Sequence, residues 1–360
     1  MGYTELLAKA SRQNQLLTVL FELTYACNLA CEFCYNDLSL TGRPLKLTDY
    51  QRLIDELAEM GALNITLSGG EPMIHPDFYA IGSYAKQKRF GVTVKTNGVP
   101  LTERNIQRLI TEVDPAKIES SLHGACAQTH DRLTQVSGSF DRLVHNIGLA
   151  VKAGLKVTLN CPLTCYNESE VDAMYALADD LGVVLKMTAE ISPRDDGDTE
   201  PLKLRASAEG ITGMYESAFA YQRVQMQRAA KATDTITLEV LGGDKSANTK
   251  SEKGTHKMCG TGSSSATIDP YGNVYPCVQY RRCIGNVHDQ SMETVWNGPN
   301  ETLGEIRQLA IDAYDLAKEQ KIRHFCMGTA ALKTGNPLEI HNQEIETARI
   351  LEEVSTRFPV

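Results

Sequence analysis

Short apolar, β-branched runs alternate with helix-length segments through the first half of the chain, and that alternation restricts the fold to parallel β-α units. The first run is Leu16–Leu23 (LLTVLFEL). A helix-length segment follows from Thr48 to Met60, with Thr48 as N-cap and Gly61 as stop, and then the strand Asn64–Ser68 (NITLS). The pattern repeats as helix Asp77–Phe90 and strand Gly91–Thr96, helix Thr102–Thr111 and strand Lys117–Leu122, and helix Phe140–Ala153 and strand Leu155–Cys161. Helix Glu168–Leu181 and strand Val183–Ile191 complete it. Such a series predicts a partial or full β/α barrel, in which ligand chemistry collects in loops beyond the carboxyl ends of the strands.

Past Ile191 the composition shifts to SPRDDGDTEPLK, which reads as an ordered turn where the sheet domain ends. Asp195, Asp196 and Asp198 are expected there as a solvated acidic turn, and Arg194 as a candidate contact for an anionic group. Ala206–Ala232 is helical in composition, Leu241–Thr255 is polar, and Ala266–Pro276 reads as a hairpin around Asp269-Pro270-Tyr271-Gly272. Helices dominate from Gly298 onward. The last, His341–Phe358, carries Ile345, Ile350, Leu351 and Val354 at helical spacing, for its own core or for a partner. The resulting division is a core over 16–205, a helical linker over 206–253, a small cysteine-rich α+β domain over 254–335 and a C-terminal helix over 336–360.

Charge and hydropathy remove several classes of function. With 36 Lys and Arg against 45 Asp and Glu, the net charge of −9 opposes the basic footprint that nucleic acid or anionic lipid requires. No apolar run approaches the roughly 18 residues of a membrane span, and the first residues lack a signal-peptide layout. A cytoplasmic protein is expected, and in a reducing compartment grouped cysteines favour metal over disulfide.

The ten cysteines are grouped. Cys27, Cys31 and Cys34 form C-x3-C-x2-C on the loop after the first strand, a spacing expected about 0.01 times by chance at this cysteine frequency. A [4Fe-4S] cluster takes one thiolate per iron, so three thiolates leave one iron open to a further ligand. A zinc site or buried structural thiols are the alternatives. Cys126, Cys161 and Cys165 share no cluster spacing and read as core positions, and His123 reads as structural or pocket-lining.

The cysteine motif, with the aromatic Tyr35 directly behind it, resembles the hallmark of the radical S-adenosylmethionine (SAM) superfamily. Ser68-Gly69-Gly70-Glu71-Pro72 is similar to that superfamily's GGEP loop, where glycines admit the ligand and Glu71 can accept hydrogen bonds from the SAM ammonium. Thr96-Asn97-Gly98 matches its T-N-G. Ser121 and Asn160 fall where relatives contact the SAM ribose or carboxylate, with strand-end capping as the alternative. Arg132 falls where relatives carry an arginine near the SAM carboxylate, with a solvent-exposed arginine as the alternative. The resemblance implies a partial (β/α)6 barrel and reductive cleavage of SAM to a 5'-deoxyadenosyl radical, the cofactor carrying the hard step.

Cys259 and Cys277 form C-x12-G-x4-C across the expected hairpin, followed by Cys283 and Cys326. This resembles the opening of the SPASM and twitch domains, as does Ile284-Gly285-Asn286-Val287 with Val295-Trp296. Around Cys326 only one cysteine remains of the fuller SPASM array, which implies one auxiliary [4Fe-4S] cluster on four thiolates; a four-cysteine zinc site is the alternative.

Two enzyme activities fit that resemblance. One is oxidative maturation of a ribosomally made peptide, suggested by the similarity of Ile191–Asp198 to a stretch seen in peptide-modifying members. The other is dehydrogenation or rearrangement of a small biosynthetic intermediate. Only about 15 residues precede the first strand, so a leader peptide would need the core, the cysteine-rich domain or another protein. An external donor such as flavodoxin or ferredoxin is implied. A non-enzymatic iron-sulfur carrier would leave Gly69–Pro72 without purpose.

Overall fold

The computed structural model describes residues 3–232, 256–322 and 325–358. Six strands build the parallel core: β1 (Thr18–Glu22), β2 (Asn64–Ser68), β3 (Gly91–Thr96), β4 (Lys117–Ser121), β5 (Val157–Pro162) and β6 (Val184–Thr188). Helix α1 (Tyr3–Gln13) precedes them. Helices α2 (Leu47–Glu59), α3 (Phe78–Gln87), α4 (Glu103–Arg108), α5 (Ala127–Thr134), α6 (Ser139–Lys152) and α7 (Val171–Leu181) lie between them. The long helix α8 (Ala208–Ala232) follows, and its Tyr221 ring stacks on Tyr175 of α7 at 4.6 Å.

Adjacent strands pair in chain order, and β7 (Ser265–Ile268) then joins the far side of β1 in parallel, with Leu20 opposite Thr267. Strands β8 (Asn273–Tyr275) and β9 (Gly285–Asn286) continue antiparallel, giving the sheet order β6-β5-β4-β3-β2-β1-β7-β8-β9. The sheet therefore does not end near Ile191. The hairpin of the cysteine-rich region is its continuation, because β1 has an open edge that β7 fills. Helices α9 (Met292–Asn297), α10 (Glu301–Glu319), α11 (Met327–Thr334) and α12 (Asn342–Arg357) complete the described chain. The expected polar stretch Leu241–Thr255 lies outside the described residues.

Helix starts differ from expectation where side chains choose the cap. Lys46, not Thr48, is the N-cap of α2, because the Asp49 carboxylate accepts the Lys46 N–H at 2.8 Å. The C-terminal helix packs on α8, where Arg357 meets Glu216 at 2.7 Å and Phe358 stacks on Phe219 at 5.9 Å.

One face of the core sheet is dry. Val92, Val94, Ile118, Leu159 and Leu185 point into the helix layer and are buried. The alternate residues, among them Lys95, Glu119, Ser121, Asn160 and Lys186, are only partly covered. Ser121 sits opposite Asn160, and Asn160 opposite Lys186, in one row across three strands. Parallel sheets are ordinarily apolar on both faces, so a polar, half-open inner face sets this sheet apart.

Candidate functional site

Both cysteine loops lie at the carboxyl ends of the core strands or against them. The loop after β1 is held from two sides. Gly70 and Glu71 donate their N–H groups to the carbonyls of Thr24 at 2.7 Å and Ala26 at 3.0 Å. Ala30 and Glu32 donate theirs to Thr134 and Leu133 at the end of α5, both at 3.1 Å. Gly69 has φ +128, and a Cβ there would stand 2.3 Å from the Thr24 carbonyl oxygen, so this turn requires glycine.

Burial raises the thiol pKa at Cys27, Cys31 and Cys34, Cys31 up to about 12, and the thiolates add to one another: Cys34 and Cys27 act on Cys31, and Cys34 on Cys27. The three thiols lie on one short loop, and a metal group that takes up deprotonated thiols there would bring those pKa values down. Among the described residues, no three His, Cys, Asp or Glu side chains form a single-ion site.

Glu71 is the centre of a buried hydrogen-bond network. Its side chain is 0% exposed, and its carboxylate accepts N–H groups from Met73 at 3.0 Å and Asn97 at 2.8 Å and the Thr96 hydroxyl at 2.9 Å. These bonds join the Gly69–Pro72 turn to the Thr96–Asn97 turn. Burial pushes its carboxyl up to about 7, against those three donors. Asn97 in turn donates from Nδ2 to Asn28 Oδ1 at 2.7 Å, within 3.8 Å of Cys27 Sγ. The cysteine loop and both glycine turns thus form one hydrogen-bonded unit.

Ser121 and Asn160 lie half-buried on the inner face, while Arg132 is exposed and stacks over the Tyr166 ring at 3.6 Å. Tyr35 accepts the Asp195 N–H on its carbonyl at 2.8 Å. His123 is buried beneath Phe33, edge-on at 4.8 Å, and donates its N–H to His130 Nδ1 at 3.1 Å. Burial holds both imidazoles in the neutral form, His130 down to about 4.

In the second set, Cys259, Cys277 and Cys326 are also raised by burial, with Cys326 acting on Cys259, Cys259 on Cys277 and Cys277 on Cys326. Cys326 caps α11, whose Gly328 approaches the Gln279 carbonyl so closely that a Cβ would lie 2.3 Å away. Cys283, exposed like Cys259, is the member whose Sγ meets a backbone carbonyl, that of Gly285 at 3.2 Å. The Gly285-Asn286 and Trp296 pattern is structural. Asn286 Nδ2 reaches Asn273 Oδ1 at 2.9 Å across the β8–β9 pair, and the buried Trp296 donates to the Asn14 carbonyl at 2.8 Å.

Three further expectations are corrected. Cys126 and Cys165 are exposed and only Cys161 is in the core. Asp196 and Asp198 do form an exposed turn, capping Asp198 N–H at 2.9 Å and Glu200 N–H at 3.0 Å, and Arg194 pairs with Asp198 at 3.4 Å. Asp195 does not belong to that solvated turn. Its side chain is 3% exposed and accepts from Arg281 Nε at 2.8 Å, while Arg281 grips Glu22 at 2.6 Å. No sequence signal marks this network, since Arg281 lies 86 residues from Asp195 and 259 from Glu22.

Comparison with known proteins agrees with this geometry. The Radical SAM superfamily matches residues 21–178, and an iron-sulfur cluster-binding domain, SPASM, matches residues 259–326. Mycofactocin maturase MftC of Mycobacterium tuberculosis is 31% identical over 332 residues, 89% of this chain and 80% of that protein. AdoMet-dependent heme synthase of Methanosarcina barkeri is 26% identical over 345 residues, 89% of this chain and 94% of that protein. PqqA peptide cyclase of Ruegeria pomeroyi is 29% identical over 266 residues, 72% of this chain and 67% of that protein. The structure of anSMEcpe with bound AdoMet superposes with a TM-score of 0.73 at 15% identity, covering 95% of this chain and 97% of that one, and shares its fold. No helix among the described residues is long and apolar enough to cross a membrane. SAM and iron-sulfur clusters are accordingly the cofactors of this enzyme. Likeness at 31% identity over 89% of the chain, with both family matches inside it or beside it, has one source: the chain belongs to the radical SAM superfamily and carries a SPASM iron-sulfur domain behind its barrel.

Proposed function

We propose that this enzyme oxidatively matures a ribosomally synthesised peptide, by crosslinking or a related modification. The observation that carries the reading is the similarity to mycofactocin maturase over 89% of the chain, joined by that to PqqA peptide cyclase. The half-open polar face of the barrel supports it, because a peptide brings its own donors and acceptors to such a wall.

In this reading Cys27, Cys31 and Cys34 hold the SAM-binding [4Fe-4S] cluster, and Cys259, Cys277, Cys283 and Cys326 hold the auxiliary one. What supports the first set is its spacing on one loop that backbone hydrogen bonds hold against the Gly69–Glu71 turn and the end of α5. Cys283 must swing from the Gly285 carbonyl to join the second. Tyr35, Gly69, Gly70, Glu71, Pro72, Thr96, Asn97, Ser121 and Asn160 line the SAM site, and Arg132 approaches from its exposed position on Tyr166. When bound, the cluster and SAM supply a carbon-centred radical that takes a substrate hydrogen. The chain's own part is to hold SAM with backbone at Gly69–Gly70, to fix Asn97 against the cysteine loop, and to keep competing hydrogen donors out.

The core then spans 16–205, the helical linker 206–253, the auxiliary domain 254–335 and the C-terminal helix 336–360, in the cytoplasm with an external flavodoxin or ferredoxin as donor. A leader-binding partner would present the peptide. The test is the intact mass of a short peptide encoded beside the gene, co-expressed at low oxygen with the enzyme or its Cys34→Ala variant. Loss of hydrogens with the active enzyme alone is the expected result. The likeness to AdoMet-dependent heme synthase favours a second reading, a small-molecule substrate. An unmodified peptide beside intact SAM cleavage would select it.

A further inference from the structure

A buried ion network joins the two cysteine loops. Glu22 ends β1, five residues before Cys27, and is 0% exposed. Arg281 lies in the turn between Cys277 and Cys283 with its side chain 8% exposed. Its Nη2 and Nη1 donate to Glu22 Oε1 at 2.6 Å and Oε2 at 2.9 Å, and its Nε donates to Asp195 Oδ2 at 2.8 Å. Asp195 donates its N–H to the carbonyl of Tyr35, the residue after Cys34, at 2.8 Å. Tyr25, also in the first loop, donates its hydroxyl to Glu22 Oε2 at 3.1 Å. One guanidinium therefore reaches the entry of the Cys27–Cys34 loop directly and its exit through Asp195.

Stability does not explain the arrangement. Desolvation of buried ions offsets most of their attraction, and apolar side chains of similar size would hold the interface as firmly. A guanidinium fork differs from such packing in direction: five donors in one plane fix position and angle together. We propose that Arg281, with Glu22 and Asp195, is a positioning residue that registers the auxiliary-cysteine loop against the Cys27–Cys34 loop. The inference rests on the reading that these loops hold the two clusters. Loss of register would leave both loops folded but misaligned with each other.

The test compares Arg281→Lys, Arg281→Met and Glu22→Gln, each checked by circular dichroism. In metal-free protein, alkylation of individual cysteines is followed by mass spectrometry. Arg281→Met should speed labelling of both Cys277 and Cys34 severalfold while leaving the core Cys161 slow, and combining it with Glu22→Gln should add little, as expected of one shared contact. Arg281→Lys, a single ammonium that cannot serve both carboxylates with a planar fork, should lie between. In reconstituted enzyme at unchanged iron content, product formed per 5'-deoxyadenosine should fall about tenfold in Arg281→Met. A variant that folds, labels like the parent at Cys34 and keeps its product ratio would overturn the proposal; so would additive effects in the double variant. Should the parent enzyme hold no clusters or leave SAM intact, the functional reading fails, and the labelling of the metal-free protein still decides whether Arg281 registers the loops.

Discussion

Glu71 Oε2 accepts the backbone N–H of Asn97 at 2.8 Å, which ties the turn after β2 to the turn after β3. Removing the carboxyl strands that N–H and the one of Met73 in a buried place. Glu71→Ala should therefore lower stability by about 2–6 kcal/mol, at about 1–3 kcal/mol for each of the two unpaired donors. Thermal unfolding of the metal-free protein reads this out, at roughly 2–4 °C per kcal/mol. Glu71→Gln, which keeps an acceptor, should lose clearly less; equal losses would mean that the carboxylate's bonds do not matter.

Replacing Cys27, Cys31 or Cys34 by Ala should abolish formation of 5'-deoxyadenosine, measured by mass spectrometry after anaerobic reconstitution. The same substitution at Cys259, Cys277 or Cys326 should end product formation while SAM cleavage continues at a reduced rate. Cleavage surviving in a variant of the first set would remove the cluster from that loop.

Iron content separates an auxiliary cluster from a zinc ion. Two four-iron clusters sum to about eight irons per chain, and one cluster with a zinc to about four. We expect the higher value, falling to about four in Cys277→Ala. A parent protein with four irons and one zinc would reassign the second cysteine set.

Asp195 sets a direction for the dependence of stability on pH. Burial, with Glu22 adding to it and Arg281 opposing it, raises its carboxyl from 3.8 to about 7. An acid raised in the folded state is held protonated there while the unfolded chain has already released its proton. Its contribution is thus fully present below about pH 4 and is lost as pH rises to about 7. The melting temperature of metal-free Asp195→Asn, minus that of the parent, should accordingly grow between those limits and level off above. A flat difference would show that Asp195 is ionised throughout, held so by Arg281.

Much of the barrel was legible because its strands obey a local rule. Asn64–Ser68 and Gly91–Thr96 are short β-branched runs between turn residues, and both form strands over those same residues. Helix α5 was missed, since Ala127–Thr134 (AQTHDRLT) has no apolar stripe to announce it; its carbonyls are spent on the cysteine loop. The spacing of Cys27, Cys31 and Cys34 is visible in sequence because it lies within one loop. Asp195 was not, because an acidic residue between Pro and Gly reads as solvated until a partner 86 residues away buries it. The network around Glu71 was hidden for a related reason: the donors of Met73 and Asn97 are backbone groups, which carry no side-chain signature.

The pairing of β7 with β1 has a consequence for biosynthesis. Strand β1 emerges from the ribosome long before its second neighbour, since Thr18 must wait for Ser265. Until then the middle of the finished sheet is a bare edge of Val19 and Phe21, a template for association with other nascent chains. For the same reason a chain shortened before residue 259 would lose more than a redox centre: it would lose the strand that closes its own core. The iron-sulfur module is thus less an attachment to the barrel than the last stave of it.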